Sequence, residues 1–183
     1  MVDDGGAGGL HINYGNDFGK VTIDGDTLFT ANVTVNSIQV TGSDVAEPYT
    51  IAAANDVQPA PGIVVVIQPH TPGHLQVSQS AYDRKVAGII SGANGVRPGL
   101  VLRQPGTLAD GNLPVASSGR VYCWCDADAN GPIEEGDQLT TSNTPGHAMR
   151  VSDYDKAHGS ILGKAMSSLR SGKGMVLVLV TLQ

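Results

Sequence analysis

Arg120-Val-Tyr-Cys-Trp-Cys125 decides the fold class. In a strand, alternate side chains point to opposite faces, so Val121, Cys123 and Cys125 share one side and Arg120, Tyr122 and Trp124 the other. Both sides are apolar enough to need a cover. Met175-Val-Leu-Val-Leu-Val180 is also apolar on both faces and reads as a central strand. Trp124 has two readings, a contact with a second subunit, or ordinary core or a half-covered sheet face.

Composition supports the same class. Val, Ile and Thr fill 42 of the 183 positions, and their stiffness at χ1 favours strands. Glycine fills 24, and charged residues make up only 15%, too few for a coiled coil or charged helical bundle. The Pro-Gly pairs at Pro61-Gly62, Pro72-Gly73, Pro98-Gly99 and Pro145-Gly146 predict chain reversals, because proline presets one turn dihedral and glycine supplies a positive φ at the next position. Between the turns, strands are predicted near 48–53, 62–68, 74–79, 85–91, 99–103, 113–116, 119–125, 137–141, 147–151, 159–166 and 174–182. That spacing implies a sandwich, clip or small barrel. The only helical signal is one turn at Tyr154 to His158.

The N-terminal part differs. Residues 1–47 carry seven acids and one lysine, and the remainder carries ten of each sign. Val2 to Gly9 reads as an acidic, glycine-rich arm. Lys20-Val-Thr-Ile-Asp24 and Asn32-Val-Thr-Val-Asn-Ser-Ile-Gln-Val-Thr41 alternate, but each is too short to bury much within one chain. They predict a solenoid-like piece or one strand of an intertwined multi-chain stalk. The expected division is therefore an arm and β-stalk segment over 1–43 and a compact head over 44–183, with the chain taken from partway along a longer fibre.

Several functions find no support. There is no basic stripe for a nucleic acid backbone. The longest apolar runs fall far short of the ~20 residues that span a bilayer, so no membrane insertion is expected, and no signal peptide follows Met1. Cys123 and Cys125 lack the partners of a metal or redox motif and read as small buried hydrophobes. No G-x-S-x-G elbow exists, and Gly159 to Ala165 fails as a phosphate loop in both spacing and its last residue, leaving Gly163 as a strand bend.

Asp126-Ala-Asp-Ala-Asn-Gly-Pro-Ile-Glu-Glu-Gly-Asp137 approximates a calcium loop, with oxygen donors at Asp126, Asp128, Asn130, Glu134 and Asp137. Pro132 occupies the carbonyl-ligand position, and strands rather than helices flank the loop. The other reading is a polar hairpin loop whose Asp and Asn side chains bond their own backbone.

In order along the chain stand Asp44-Val-Ala-Glu-Pro48, Ala81-Tyr-Asp-Arg-Lys-Val-Ala-Gly-Ile-Ile-Ser91, Pro114-Val-Ala116 with Gly119-Arg-Val-Tyr-Cys123, Ile133-Glu-Glu-Gly-Asp-Gln-Leu-Thr-Thr-Ser142, Thr144-Pro-Gly-His-Ala-Met149 and Gly159-Ser-Ile-Leu-Gly-Lys-Ala165. With the apolar end, this order resembles the tip domain that follows β-stalk repeats in phage tail fibres and bacterial surface fibre proteins. It is also similar to the β-clip-like decoration proteins of phage capsids. The resemblance implies a homotrimer on a virion, an extracellular particle or a cell surface. It implies a non-enzymatic structural and attachment role, with other fibre or particle proteins and a surface glycan or protein receptor as partners. The alternatives are a capsid decoration protein and a self-cleaving intramolecular chaperone, for which no Ser or acid matches a catalytic role. Tyr122, Trp124 and the loop at 104–112 are the candidate sugar-binding surface, and no cofactor other than the possible calcium is implied.

Overall fold

The computed structural model describes residues 21, 23, 25–108 and 110–182. It divides into two units, Met1–Ile38 and Gln39–Gln183. The acidic arm and most of the Lys20–Asp24 stretch lie outside the described residues. In the first unit, residues 25–38 contain no strand or helix. Leu28, Phe29, Val33, Val35 and Ile38 are all exposed there. The strand predicted over 32–41 is not formed within the single chain, and among the described residues no neighbouring strand satisfies its backbone groups.

The second unit is nearly all β. Its strands are β1 (Asp44–Tyr49), β2 (Ile51–Ala52), β3 (Val64–Ile67), β4 (Leu75–Val77), β5 (Val86–Ile90), β6 (Leu100–Val101), β7 (Leu113–Asp126), β8 (Gln138–Thr141), β9 (Ala148–Arg150), β10 (Ile161–Ala165) and β11 (Lys173–Thr181). Two single-turn helices, α1 (Ala127–Asn130) and α2 (Tyr154–Ala157), complete it with one short 3₁₀ turn.

The 14-residue β7 organises the unit. Its C-terminal half pairs antiparallel with β11 from Thr181 opposite Ser118 to Lys173 opposite Asp126. The order then runs β11, β10, β8 and β9, and β9 returns to β7 in parallel at Cys125 and Ala148. These five strands close a small barrel. Its interior holds Val121, Cys123, Ile133, Leu139, Leu162 and Val178, each at most 1% exposed. The N-terminal half of β7 leaves the barrel and pairs with β1 on one edge and β5 on the other. β5 continues through β3 and β4 to β2, and β6 lies parallel to β1. A second core cluster, including Ile63, Val65, Leu75, Val77, Ile90 and Val115, fills this outer layer.

Two glycines make the geometry possible. Gly119 has φ 107°, and a Cβ there would lie 2.5 Å from Ser43 O, so the departure of β7 from the barrel beside β1 requires glycine. Gly163 has φ 155° at a bulge in β10, where a Cβ would fall 2.2 Å from Leu179 O.

Three Pro-Gly reversals form as predicted. Ile63 N donates to Ala60 O, His74 N to Thr71 O and His147 N to Thr144 O, with positive φ at Gly62, Gly73 and Gly146. Gly99 instead lies against the Gly42 backbone and leads into β6, where its N–H donates to Asp44 O at 2.8 Å.

Candidate functional site

A cavity of about 670 Å³ opens beside α1, bounded by the 142–144 turn, the loop carrying Tyr82 and Lys156 of α2. Its construction begins with Asp126, the last residue of β7. Asp126 caps α1 by accepting from Asp128 N at 2.9 Å, and its other oxygen accepts from Thr144 Oγ1 at 2.5 Å. Burial pushes the Asp126 carboxyl up, but these donors, with the charges of Lys173 and His147, outweigh it and hold the group below its ordinary value. It is therefore an anion at neutral pH.

Tyr82 is the second anchor. Its φ of 56° is unusual for an aromatic residue. Its Oη accepts from Ser152 N, Asp153 N and Asn130 Nδ2, each at 3.1 Å, and lies 3.3 Å from Ser152 Oγ. Burial raises the phenol pKa, but the donors from Ser152, Asp153 and Asn130 reverse the sign and leave it lowered. One oxygen thus ties the Tyr82 loop to α1 and to the segment entering α2. The Ala81–Ser91 stretch carries Tyr82, but no sequence signal marks its role, because its donors lie 48, 70 and 71 residues away.

The five donors of the calcium-loop reading do not converge. Asp126 caps α1, and Asp128 Oδ1 accepts from Gly172 N at 2.8 Å. Asn130 Nδ2 donates to Tyr82 Oη and to Arg150 O. Asp137 Oδ2 accepts from Glu134 N at 2.9 Å, closing a separate turn, and the Glu134 side chain is exposed. Ile133, fully buried between them, splits the stretch in two. Asp126 and Asp137 bond nearby backbone, as in the second reading, whereas Asp128 and Asn130 bond groups remote in sequence at Gly172, Tyr82 and Arg150. Among the described residues no group of three or more His, Cys, Asp or Glu is placed to hold a metal.

Tyr122 and Trp124 share a face of β7 but have different surroundings. Trp124 packs on the outer core cluster beneath the Pro61-Gly62 turn. Its backbone N–H donates to Gly62 O at 2.9 Å, and its ring centroid lies 6.0 Å from that of His147. Its own chain thus covers part of it, and it remains half-buried. Tyr122 lines a small recess of about 130 Å³ with Arg120 and Leu177. In the 104–112 loop, Asp110 accepts from Arg103 Nε, Gly106 N and Gly111 N. Leu108 is 76% exposed there, and residue 109 is outside the described residues.

One buried group stands apart. Asp44, at the start of β1, is 5% exposed, and both carboxylate oxygens lack hydrogen-bond partners, as does the buried Ser91 Oγ. Burial pushes the Asp44 pKa up, with nearby Ser91 pulling weakly the other way.

No family model matches the chain, and comparison with curated proteins yields no match. Among the described residues no helix is long and apolar enough to cross a membrane.

Proposed function

We propose that the chain is a non-enzymatic structural and attachment module at the tip of a trimeric fibre of a phage, a phage-like particle or a bacterial surface. The observation that carries this reading is the contrast between a closed all-β unit and an N-terminal segment whose alternating Val33 and Val35, with Leu28, Phe29 and Ile38, are exposed. Apolar side chains spaced for a strand but left without one are covered when copies of the same segment pair with each other. A threefold stalk supplies such copies and presents the heads together at one end.

Light scattering on the eluting full-length protein tests this. A mass three times the 18.8 kDa of one chain is expected at micromolar concentration, and a single-chain mass overturns the proposal.

A further inference from the structure

We propose that the cavity beside α1 binds a neutral saccharide unit, an inference that rests on the attachment reading above and assigns its ligand. The volume of about 670 Å³ falls among small-molecule clefts, usually 300–1,000 Å³. A sugar presents an apolar C–H face and a rim of hydroxyls, each both donor and acceptor. The cavity offers the same two kinds of surface. Met149, Ala81, Ala129 and the Tyr82 side chain supply apolar lining, and Asp128 and Asn143 supply polar groups.

Those polar groups are held before any ligand arrives. Asn143 Oδ1 accepts from Ala81 N at 2.9 Å, which orients the amide and leaves its Nδ2 as a donor. Asp128 Oδ1 accepts from Gly172 N at 2.8 Å, which leaves Oδ2 as an acceptor. Side chains already pinned by one bond lose little freedom on binding. A fixed donor and a fixed acceptor lining one cleft suit a pair of sugar hydroxyls. Charge then selects the class. Asp126 and Asp128 line the cavity, and Lys156, the lysine among its lining residues, is paired with Asp153 at 3.0 Å, so the lining favours a neutral ligand over an anionic one.

The test is saturation-transfer NMR on the full chain with glucose, galactose, mannose and N-acetylglucosamine, and with N-acetylneuraminic acid as the anionic control. At least one neutral sugar is expected to receive saturation and the anionic sugar none. Ala129→Trp fills the cavity without removing a side-chain hydrogen bond and should abolish the transfer. Asn143→Asp keeps the acceptor for Ala81 N, removes the free donor and should weaken binding about tenfold. Both variants should keep the parent far-UV spectrum. Silence from every neutral sugar, preference for the anionic one, or neutral-sugar binding unchanged in folded Ala129→Trp would each overturn the site. Light scattering on the same sample separates the two proposals. A trimer without sugar binding removes the site and leaves the fibre-tip reading, and a sugar-binding monomer does the reverse.

Discussion

Asn32–Val40 and Arg120–Cys125 both carry apolar residues at strand spacing, yet only one is a strand in the single chain. Arg120–Cys125 has β11 along its length, and its inward residues Val121, Cys123 and Cys125 are at most 1% exposed. Among the described residues Asn32–Val40 has no strand partner, and Val33 and Val35 remain more than half exposed. Alternation thus states which residues a strand would bury, while pairing decides whether the strand exists. The difference separates a unit that folds on internal contacts from a segment we assign to contacts between copies.

The sharpest way to break this comparison is to break the barrel. Gly163→Val places a branched side chain where a Cβ already lies 2.2 Å from Leu179 O, at a φ that valine rarely adopts. A loss of about 4 kcal/mol or more is expected in chemical denaturation, enough to unfold many domains of this size. The matching change in the first unit, Val35→Ser, should leave the unfolding midpoint of the head unmoved and lower the fraction of trimer.

Ile133→Ala comes next. Ile133 is fully buried in the barrel cluster, and its removal leaves a cavity costing about 2–5 kcal/mol in the same measurement. Tyr82→Phe follows at about 1–3 kcal/mol, because Ser152 N, Asp153 N and Asn130 Nδ2 lose their shared acceptor. The thermal midpoint should fall while the far-UV spectrum is kept.

The strands of the head were legible for a physical reason. Inward residues such as Val121, Cys123 and Val178 repeat at a period of two, and turns such as Thr71 to His74 announce themselves by proline and glycine. Barrel closure was not legible, because it depends on β9 meeting β7 at Cys125 and Ala148, a contact that no local pattern encodes. The early start of β1 was hidden by Asp44 and Pro48, residues that disfavour strands and are tolerated at this site. α1 was missed because four residues carry no helical period, and its capping aspartate fits a calcium loop equally well. The Tyr82 hub was invisible for the same reason as closure, since its partners are remote in sequence.

A smaller effect comes from Asp44, whose folded-state pKa is raised above 3.8 by burial. Between the unfolded and folded values the native state binds more protons, so this group's contribution to stability falls as pH rises through that window. Asp44→Asn should therefore raise the midpoint at pH 7, and the gain should vanish as the pH falls below 3.8. A gain that is constant with pH would show that charge is not its cause. The smallest expected effect is that of calcium. With Asp126, Asp128, Asn130 and Asp137 each engaged in hydrogen bonds, exchanging chelator for calcium at constant ionic strength should leave the midpoint where it was.

The most direct test is backbone hydrogen exchange on the full chain at two concentrations, one above and one below the dissociation of the proposed trimer. Amides of β7 and β11 should be protected at both concentrations, because their partners lie in the same chain. Amides of residues 32–38 should be protected only in the concentrated sample and exchange at free-chain rates on dilution. Free exchange of residues 32–38 at every concentration would contradict the account.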